Sequence, residues 1–172
     1  MGKYIRFFSD LSNKDTAEVG GKNASLGEMI SRLGPKGIKI PAGYATTAQA
    51  YWDYLDHNGL REKLTNLLQK LDTKEFKNLR ETGKKARELI LNGKFPNELA
   101  EAIKGAYEQL EEKEEALTSV AVRSSATAED LPEASFAGQH DSFMNIQGPE
   151  NTLKTCKKCF ASLFTDRAIR YR

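Results

Sequence analysis

Hydrophobic residues recur at helical spacing through most of this chain. Apolar side chains three and four positions apart form one face of an amphipathic helix. This period predicts six helices, whose apolar faces consist of Leu26, Met29, Ile30 and Leu33; Ala48, Tyr51, Trp52 and Leu55; Leu60, Leu64, Leu67, Leu68 and Leu71; Phe76, Leu79, Ala86 and Ile90; Leu99, Ile103, Ala106 and Leu110; and Leu153, Cys156, Phe160, Leu163 and Phe164. The last helix is predicted to continue to Arg172, so we expect a domain that is cut short.

Residues with known terminal preferences set the predicted helix ends. Ser25 and Glu28 have the spacing of a capping box, which predicts a helix start there. Gly34-Pro35 and Asn92-Gly93 predict helix ends, and Pro96 predicts the start of the next helix.

Four short segments with alternating or β-branched composition predict strands between these helices. They are Tyr4–Phe8, Gly43–Thr46, Ser119–Arg123 and Asp141–Ile146. The expected fold class is therefore α/β, a mixed α+β arrangement in which helices predominate. A chain of 172 residues is long enough for one compact domain.

The charge balance bears on the class of partner. Lys and Arg total 26 against 24 Asp and Glu, a net charge of +2, which argues against a polybasic nucleic-acid binder. The alternative of nucleic-acid binding rests on cations spread around the last helix: Lys154, Lys157, Lys158, Arg167, Arg170 and Arg172. No apolar run approaches a membrane span and no signal peptide is visible, so we expect a cytoplasmic protein without a membrane partner.

Cys156 and Cys159 form a C-x-x-C pair, which is also the spacing of redox and zinc motifs. A redox pair is expected directly after a strand, whereas this pair falls within a helical pattern. A zinc site needs further ligands, and the only histidines are His57 and His140. We therefore interpret both cysteines as ordinary helix residues.

The first segment that could carry chemistry is Val19-Gly20-Gly21-Lys22-Asn23-Ala24-Ser25. Two glycines let a backbone approach a ligand closely, and a lysine near a helix N-terminus suits an anion such as phosphate. The segment is not a Walker A loop, because Asn23 follows Gly-Lys in place of Ser or Thr. Taken by itself, the segment is more typical of a surface turn whose lysine has no ligand.

The second segment begins with Val122-Arg123-Ser124-Ser125 and reaches Ser135-Phe136-Ala137-Gly138-Gln139. An arginine at a strand end can hold phosphate oxygens in a bidentate manner, and small hydroxyl residues offer further donors. Gly138 offers another point of close backbone approach. The alternative is a polar loop in which Arg123 pairs with a nearby carboxylate.

Together these segments resemble the phosphoenolpyruvate synthase (pyruvate, water dikinase) family. The matching blocks, in family order and spacing, are Val19-Gly-Gly-Lys-Asn-Ala-Ser-Leu-Gly-Glu-Met, Pro41-Ala-Gly-Tyr-Ala-Thr-Thr, Ala121-Val-Arg-Ser-Ser-Ala-Thr-Ala-Glu-Asp, Ser135-Phe-Ala-Gly-Gln and Phe160-Ala-Ser-Leu-Phe-Thr-Asp-Arg-Ala. Pyruvate phosphate dikinase and rifampicin phosphotransferase share this nucleotide-binding domain.

The resemblance implies an ATP-grasp-like fold, of which residues 1–172 are the N-terminal part of the ATP-binding domain. It also implies an enzyme that splits ATP, passes a phosphoryl group to a histidine on another domain and delivers it to pyruvate. The products would be phosphoenolpyruvate, AMP and phosphate. The implied partners are ATP with Mg²⁺ and the phosphohistidine and pyruvate-binding domains of the same enzyme.

By the same resemblance, Lys22 contacts the ATP phosphates and Arg123 neutralises them. Gly138, Ser142 and Phe143 correspond to the loop that closes over the phosphate chain, with Ser142 where the family commonly has Thr. The metal ligands are expected outside this chain, and His140 is not the phosphorylated histidine. We expect the chain alone to bind ATP weakly and to make no phosphoenolpyruvate.

Two alternatives remain open at this point. The ATP-binding part of a rifampicin phosphotransferase would share these blocks, because the residues that distinguish it lie in a substrate domain. A short nucleotide-binding module without catalytic activity would also keep them.

Overall fold

The computed structural model describes residues 2–114, 119–125, 130–131, 134–135 and 141–171, which form a helix-rich mixed α/β structure. The strands are β1 (Ile5–Phe7), β2 (Tyr44–Thr46), β3 (Val120–Arg123), β4 (Asp130–Leu131), β5 (Ala134–Ser135) and β6 (Ser142–Ile146). The helices are α1 (Thr16–Val19), α2 (Gly21–Leu33), α3 (Ala48–His57), α4 (Leu60–Leu68), α5 (Leu79–Asn92), α6 (Asn97–Lys113), α7 (Pro149–Ser162) and α8 (Asp166–Tyr171). The mixed, helix-rich class predicted from the sequence is confirmed.

Within these ranges the strands pair as small antiparallel sheets, β1 with β2, β3 with β6 and β4 with β5. In the first sheet Ile5 lies opposite Thr46 and Phe7 opposite Tyr44. The Tyr44 hydroxyl donates to the Ile103 carbonyl of α6 over 3.1 Å, which anchors this sheet to the helices. All four predicted strands are confirmed, with no end shifted by more than one residue.

The main core surrounds α7, whose Phe160 is the centre of an aromatic cluster. The Phe160 ring lies 5.2 Å from Tyr51, 5.5 Å from Tyr54 and 6.1 Å from Phe95, between ring centroids. Leucines of α4 and α6, with Ala86 and Ile90 of α5, complete this core. Val122 of β3 packs against it, so the β3–β6 sheet is attached to the main core.

A second, smaller cluster holds α2 in place. It contains Leu11, Val19, Ala24 and Ala45, with Phe8 packed against them. Gly27 lets α2 approach closely, since a Cβ atom there would lie 2.5 Å from the Cβ atom of Leu11. Helix α2 therefore packs against the segment that follows β1.

The capping box predicted at Ser25 and Glu28 was wrong. Helix α2 begins four residues earlier, at Gly21, with Gly20 as its N-cap, and Ser25 lies exposed within the helix. Gly20 adopts φ +81° and ψ 158°, which ends α1 and starts α2 without any capping side chain. A capping box does occur nearby, at Ser12 and Asp15.

Two other predictions also need correction. The predicted inner face of α3 included Trp52, but Trp52 is 43% exposed and Tyr54 is buried in its place. The single last helix is broken after Ser162, and α8 starts afresh because the Thr165 hydroxyl accepts a hydrogen bond from the Ala168 amide over 3.2 Å. Among the described residues, no helix is both long and apolar enough to cross a bilayer.

Candidate functional site

Lys22 lies in the first turn of α2, with its side chain exposed. The N-cap of this helix is Gly20, which has no side chain to bond the first-turn amides, and no acidic residue lies in that turn. The amide nitrogen of the Asn23 side chain donates to the Val19 carbonyl over 2.8 Å. An uncapped helix N-terminus with an adjacent lysine can bind an anion.

Arg123 is the last residue of β3 and lies exposed directly opposite Ser142 of β6. Residues opposite each other in an antiparallel pair share a face of the sheet, so the structure brings Arg123 and Ser142 together on one exposed face. Phe143 lies opposite Val122, on the other face, where Lys158 of α7 is 5.8 Å from its ring centre. Phe143 therefore belongs to the α7 side of the sheet.

The two predicted segments meet where Gly20 contacts Ser125. A Cβ atom placed on Gly20 would lie 2.6 Å from the Ser125 carbonyl oxygen and would also overlap the Ser125 hydroxyl. Such separations are far shorter than van der Waals contact, so only a glycine allows this approach. The contact places the N-terminus of α2 beside the segment that follows Arg123.

The hydroxyl oxygens of Ser124 and Ser125 are buried and have no hydrogen-bond partner within the part of the chain that the structure describes. A buried polar group without a partner is unfavourable, and such groups are uncommon in folded proteins. These two hydroxyls directly follow Arg123 in the chain, and the Gly20–Ser125 contact brings them to the end of α2 that carries Lys22. The junction thus combines an uncapped helix end, two cations and unpaired donors, which is a suitable environment for phosphate oxygens.

The C-x-x-C pair lies inside α7 and faces the core. Burial raises the pKa of Cys156 and of Cys159 to about 12, so both remain thiols at neutral pH. Because the thiolate is the reactive form, this environment does not favour redox chemistry or metal binding. The interpretation of both cysteines as ordinary helix residues is confirmed.

Sequence reasoning proposed Lys22, Arg123, Ser142 and Phe143 as site residues, which stays a prediction, and it missed the contact between Gly20 and Ser125. The Gly-Gly pair was read as a ligand-approach motif, whereas Gly20 also provides close contact with another segment of the protein. Gly138, the remaining predicted site residue, lies outside the described residues. The described ranges contain no group of three or more His, Cys, Asp or Glu side chains that could hold a metal ion.

Comparison with known proteins gives a consistent match. A family model described as pyruvate phosphate dikinase, AMP/ATP-binding domain, matches residues 16–172. Phosphoenolpyruvate synthase of Aquifex aeolicus (strain VF5) is 53% identical over 98% of this chain and 20% of its own length. The protein of that name from Helicobacter pylori (strain ATCC 700392 / 26695) is 50% identical over 99% of this chain and 21% of its own length. The one from Escherichia coli (strain K12) is 47% identical over 98% of this chain and 21% of its own length. The chain therefore spans about a fifth of the length of these relatives.

Proposed function

The chain belongs to the pyruvate phosphate dikinase, AMP/ATP-binding domain family, and we propose that it is the ATP-binding portion of a phosphoenolpyruvate synthase. Residues 1–172 would form the N-terminal part of an ATP-grasp-like domain that the rest of the enzyme completes. The lengths of the relatives support this, because the chain covers only about a fifth of each. Their shared name also favours phosphoenolpyruvate synthase over rifampicin phosphotransferase.

The observation that carries this proposal is the contact between Gly20 and Ser125. It joins two segments that are distant in the chain and are each suited to phosphate. Lys22 adds a positive charge to the N-terminus of α2, and Arg123 adds a guanidinium at the end of β3. Phosphoryl transfer depends mainly on positioning and charge stabilisation, which such groups can supply.

We assign each site residue one role in this proposal. Lys22 and the first-turn amides of α2 bind phosphate oxygens, and Arg123 neutralises charge on the same phosphate chain. Ser142 shares the exposed face with Arg123 and offers a hydroxyl to the nucleotide. Phe143 supports that strand from the α7 side, while the role of Gly138 in closing over the phosphates rests on the motif alone.

The remaining steps belong to the longer enzyme. Its ATP-binding domain would pass a phosphoryl group from ATP to a histidine on a second domain, and a third domain would use it to convert pyruvate to phosphoenolpyruvate. AMP and phosphate would be the other products. Mg²⁺ would accompany ATP, and we assign it no ligand among the described residues. By this proposal the chain alone binds ATP weakly and makes no phosphoenolpyruvate.

Calorimetric titration with magnesium-ATP tests the site directly. Lys22→Ala and Arg123→Ala should each weaken binding by about ten-fold or more, because a hydrogen bond to a charged group contributes ~1.5–3 kcal/mol. Matched controls are Lys36→Ala and Arg80→Ala, which remove exposed cations from the short 3-10 turn that follows α2 and from α5. Equal affinity in all four variants and the parent would contradict the site, and absence of binding by the parent would contradict ATP binding by this chain.

A further inference from the structure

The hydroxyl group of Ser125 has an unusual environment. Solvent hardly reaches its oxygen, and no acceptor or donor within the described residues bonds it. Among the described residues, the buried Ser162 hydroxyl by contrast donates to the Cys159 carbonyl over 2.8 Å, whereas the neighbouring Ser124 hydroxyl is also without a partner. A bound molecule could supply the hydrogen-bond partner that the Ser125 hydroxyl lacks.

The position of this hydroxyl indicates what kind of molecule would bond it. Ser125 contacts Gly20, the N-cap of α2, at the helix end where the amides have no capping side chain. Among the described residues, the Ser125 hydroxyl bonds none of the first-turn amides of α2. Both the amides and the hydroxyl can donate hydrogen bonds, and Lys22 adds positive charge, so the complementary ligand is an anion with several oxygen atoms.

We propose that Ser125 is a further phosphate-binding residue, whose hydroxyl donates a hydrogen bond to a phosphate oxygen of the nucleotide. This inference rests on the proposed function and extends it to a residue outside the Lys22, Arg123, Gly138, Ser142 and Phe143 set. The close contact with Gly20 fixes the distance between the hydroxyl and the first turn of α2. The Ser124 hydroxyl is also buried without a partner among the described residues, but the three atoms nearest to a Cβ on Gly20 all belong to Ser125.

A phosphate-binding role and a structural role predict opposite results for Ser125→Ala. If the hydroxyl serves the ligand, its removal relieves the free chain of an unsatisfied buried group, so thermal stability should stay the same or rise. Affinity for the nucleotide should fall at the same time. If the hydroxyl instead supports the fold, stability should fall while affinity is retained.

The experiment compares the parent, Ser125→Ala, Lys22→Ala and Ser162→Ala by amide NMR and thermal unfolding. Each chain is titrated separately with magnesium-ATP, inorganic tripolyphosphate and adenosine. We expect Ser125→Ala to bind both magnesium-ATP and tripolyphosphate about ten-fold more weakly than the parent. Ser162→Ala should lose thermal stability, because it removes a satisfied buried hydroxyl, and should keep the parent affinity.

The outcomes separate the inference from the function on which it rests. If the parent binds neither magnesium-ATP nor tripolyphosphate, both the proposed function and the role of Ser125 are overturned. Weaker binding in Lys22→Ala, with parent affinity in Ser125→Ala, would overturn only the role of Ser125. A loss confined to adenosine binding would also overturn it, because the hydroxyl would then serve the nucleoside.

Discussion

At the scale of single residues, the position that most constrains the candidate site is Gly20. Its φ of +81° and ψ of 158° fall in a region that is essentially restricted to glycine, and the Ser125 carbonyl leaves no room for a Cβ atom. We expect Gly20→Ala to destabilise the chain by ~1–3 kcal/mol or more, since backbone strain and steric overlap add. Urea unfolding followed by circular dichroism measures this change.

Gly34 provides the matched control for that substitution. It lies at the C-terminal end of the same helix with φ −53° and ψ −48°, and a Cβ atom there would meet nothing within 4 Å. Gly34→Ala should therefore be neutral or stabilising by ~0.4–1 kcal/mol. Equal stability of Gly20→Ala and the parent would show that Gly20 is not a constrained position.

At the scale of elements, Tyr54 connects α3 to the end of α5. Its hydroxyl is buried and donates to the Ile90 carbonyl over 2.5 Å, and burial raises its pKa to about 12. The folded pKa thus exceeds the ordinary value near 10, so Tyr54 favours folding fully below about pH 10. That contribution is lost as pH rises from 10 towards 12, because the unfolded state loses its proton first.

The measurement is the free energy of unfolding as a function of pH between 8 and 12. Tyr54→Phe should lower the free energy of unfolding by ~0.5–1.5 kcal/mol at pH 8. Above pH 10, the free energy of unfolding of the variant should fall less steeply with pH than that of the parent, by the slope that corresponds to about one proton. Burial also raises the pKa of Tyr44, so some decline should remain in the variant. Identical slopes in the parent and Tyr54→Phe would contradict the assignment to Tyr54.

Elements were also the scale at which sequence patterns predicted the structure best. The β-branched run ending at Arg123 and the apolar face of α6 have strong local periods, and both were found. The start of α2 was missed because capping rules require a side chain, whereas Gly20 starts the helix through its backbone angles. Trp52 was placed inward because hydrophobicity alone does not show which aromatic residue of α3 meets Phe160.

At the scale of the whole molecule, the candidate site joins two hydrophobic clusters of different size. In the part of the chain that the structure describes, α2 packs in a cluster of four buried apolar residues, whereas β3 is attached through Val122 to a core of fourteen. The local periodicity of hydrophobic residues does not predict a contact between segments as distant in the chain as Gly20 and Ser125. In the sequence, only the family resemblance places Lys22 and Arg123 in one site, and their binding roles stay predictions.

The difference in size between the two hydrophobic clusters predicts how ATP should change amide hydrogen exchange. In the free chain, α2 should open at lower free energy than the helices of the main core, because fewer buried contacts hold it. Magnesium-ATP bound to both α2 and β3 would have to be released when α2 opens, so exchange in α2 should slow markedly. At one hundred times the dissociation constant, the added protection approaches ~2.7 kcal/mol.

Helix α4 supplies the internal reference, because it contributes Leu60 and Leu64 to the main core and its local opening leaves the α2–β3 junction intact. Exchange through local opening of α4 should not change with ATP, and Lys22→Ala should reduce the protection of α2 at the same ATP concentration. Slower exchange in α4 without slower exchange in α2 would place the nucleotide elsewhere. Protection confined to α2 and β3 would instead mean that the nucleotide couples the small cluster to the main core.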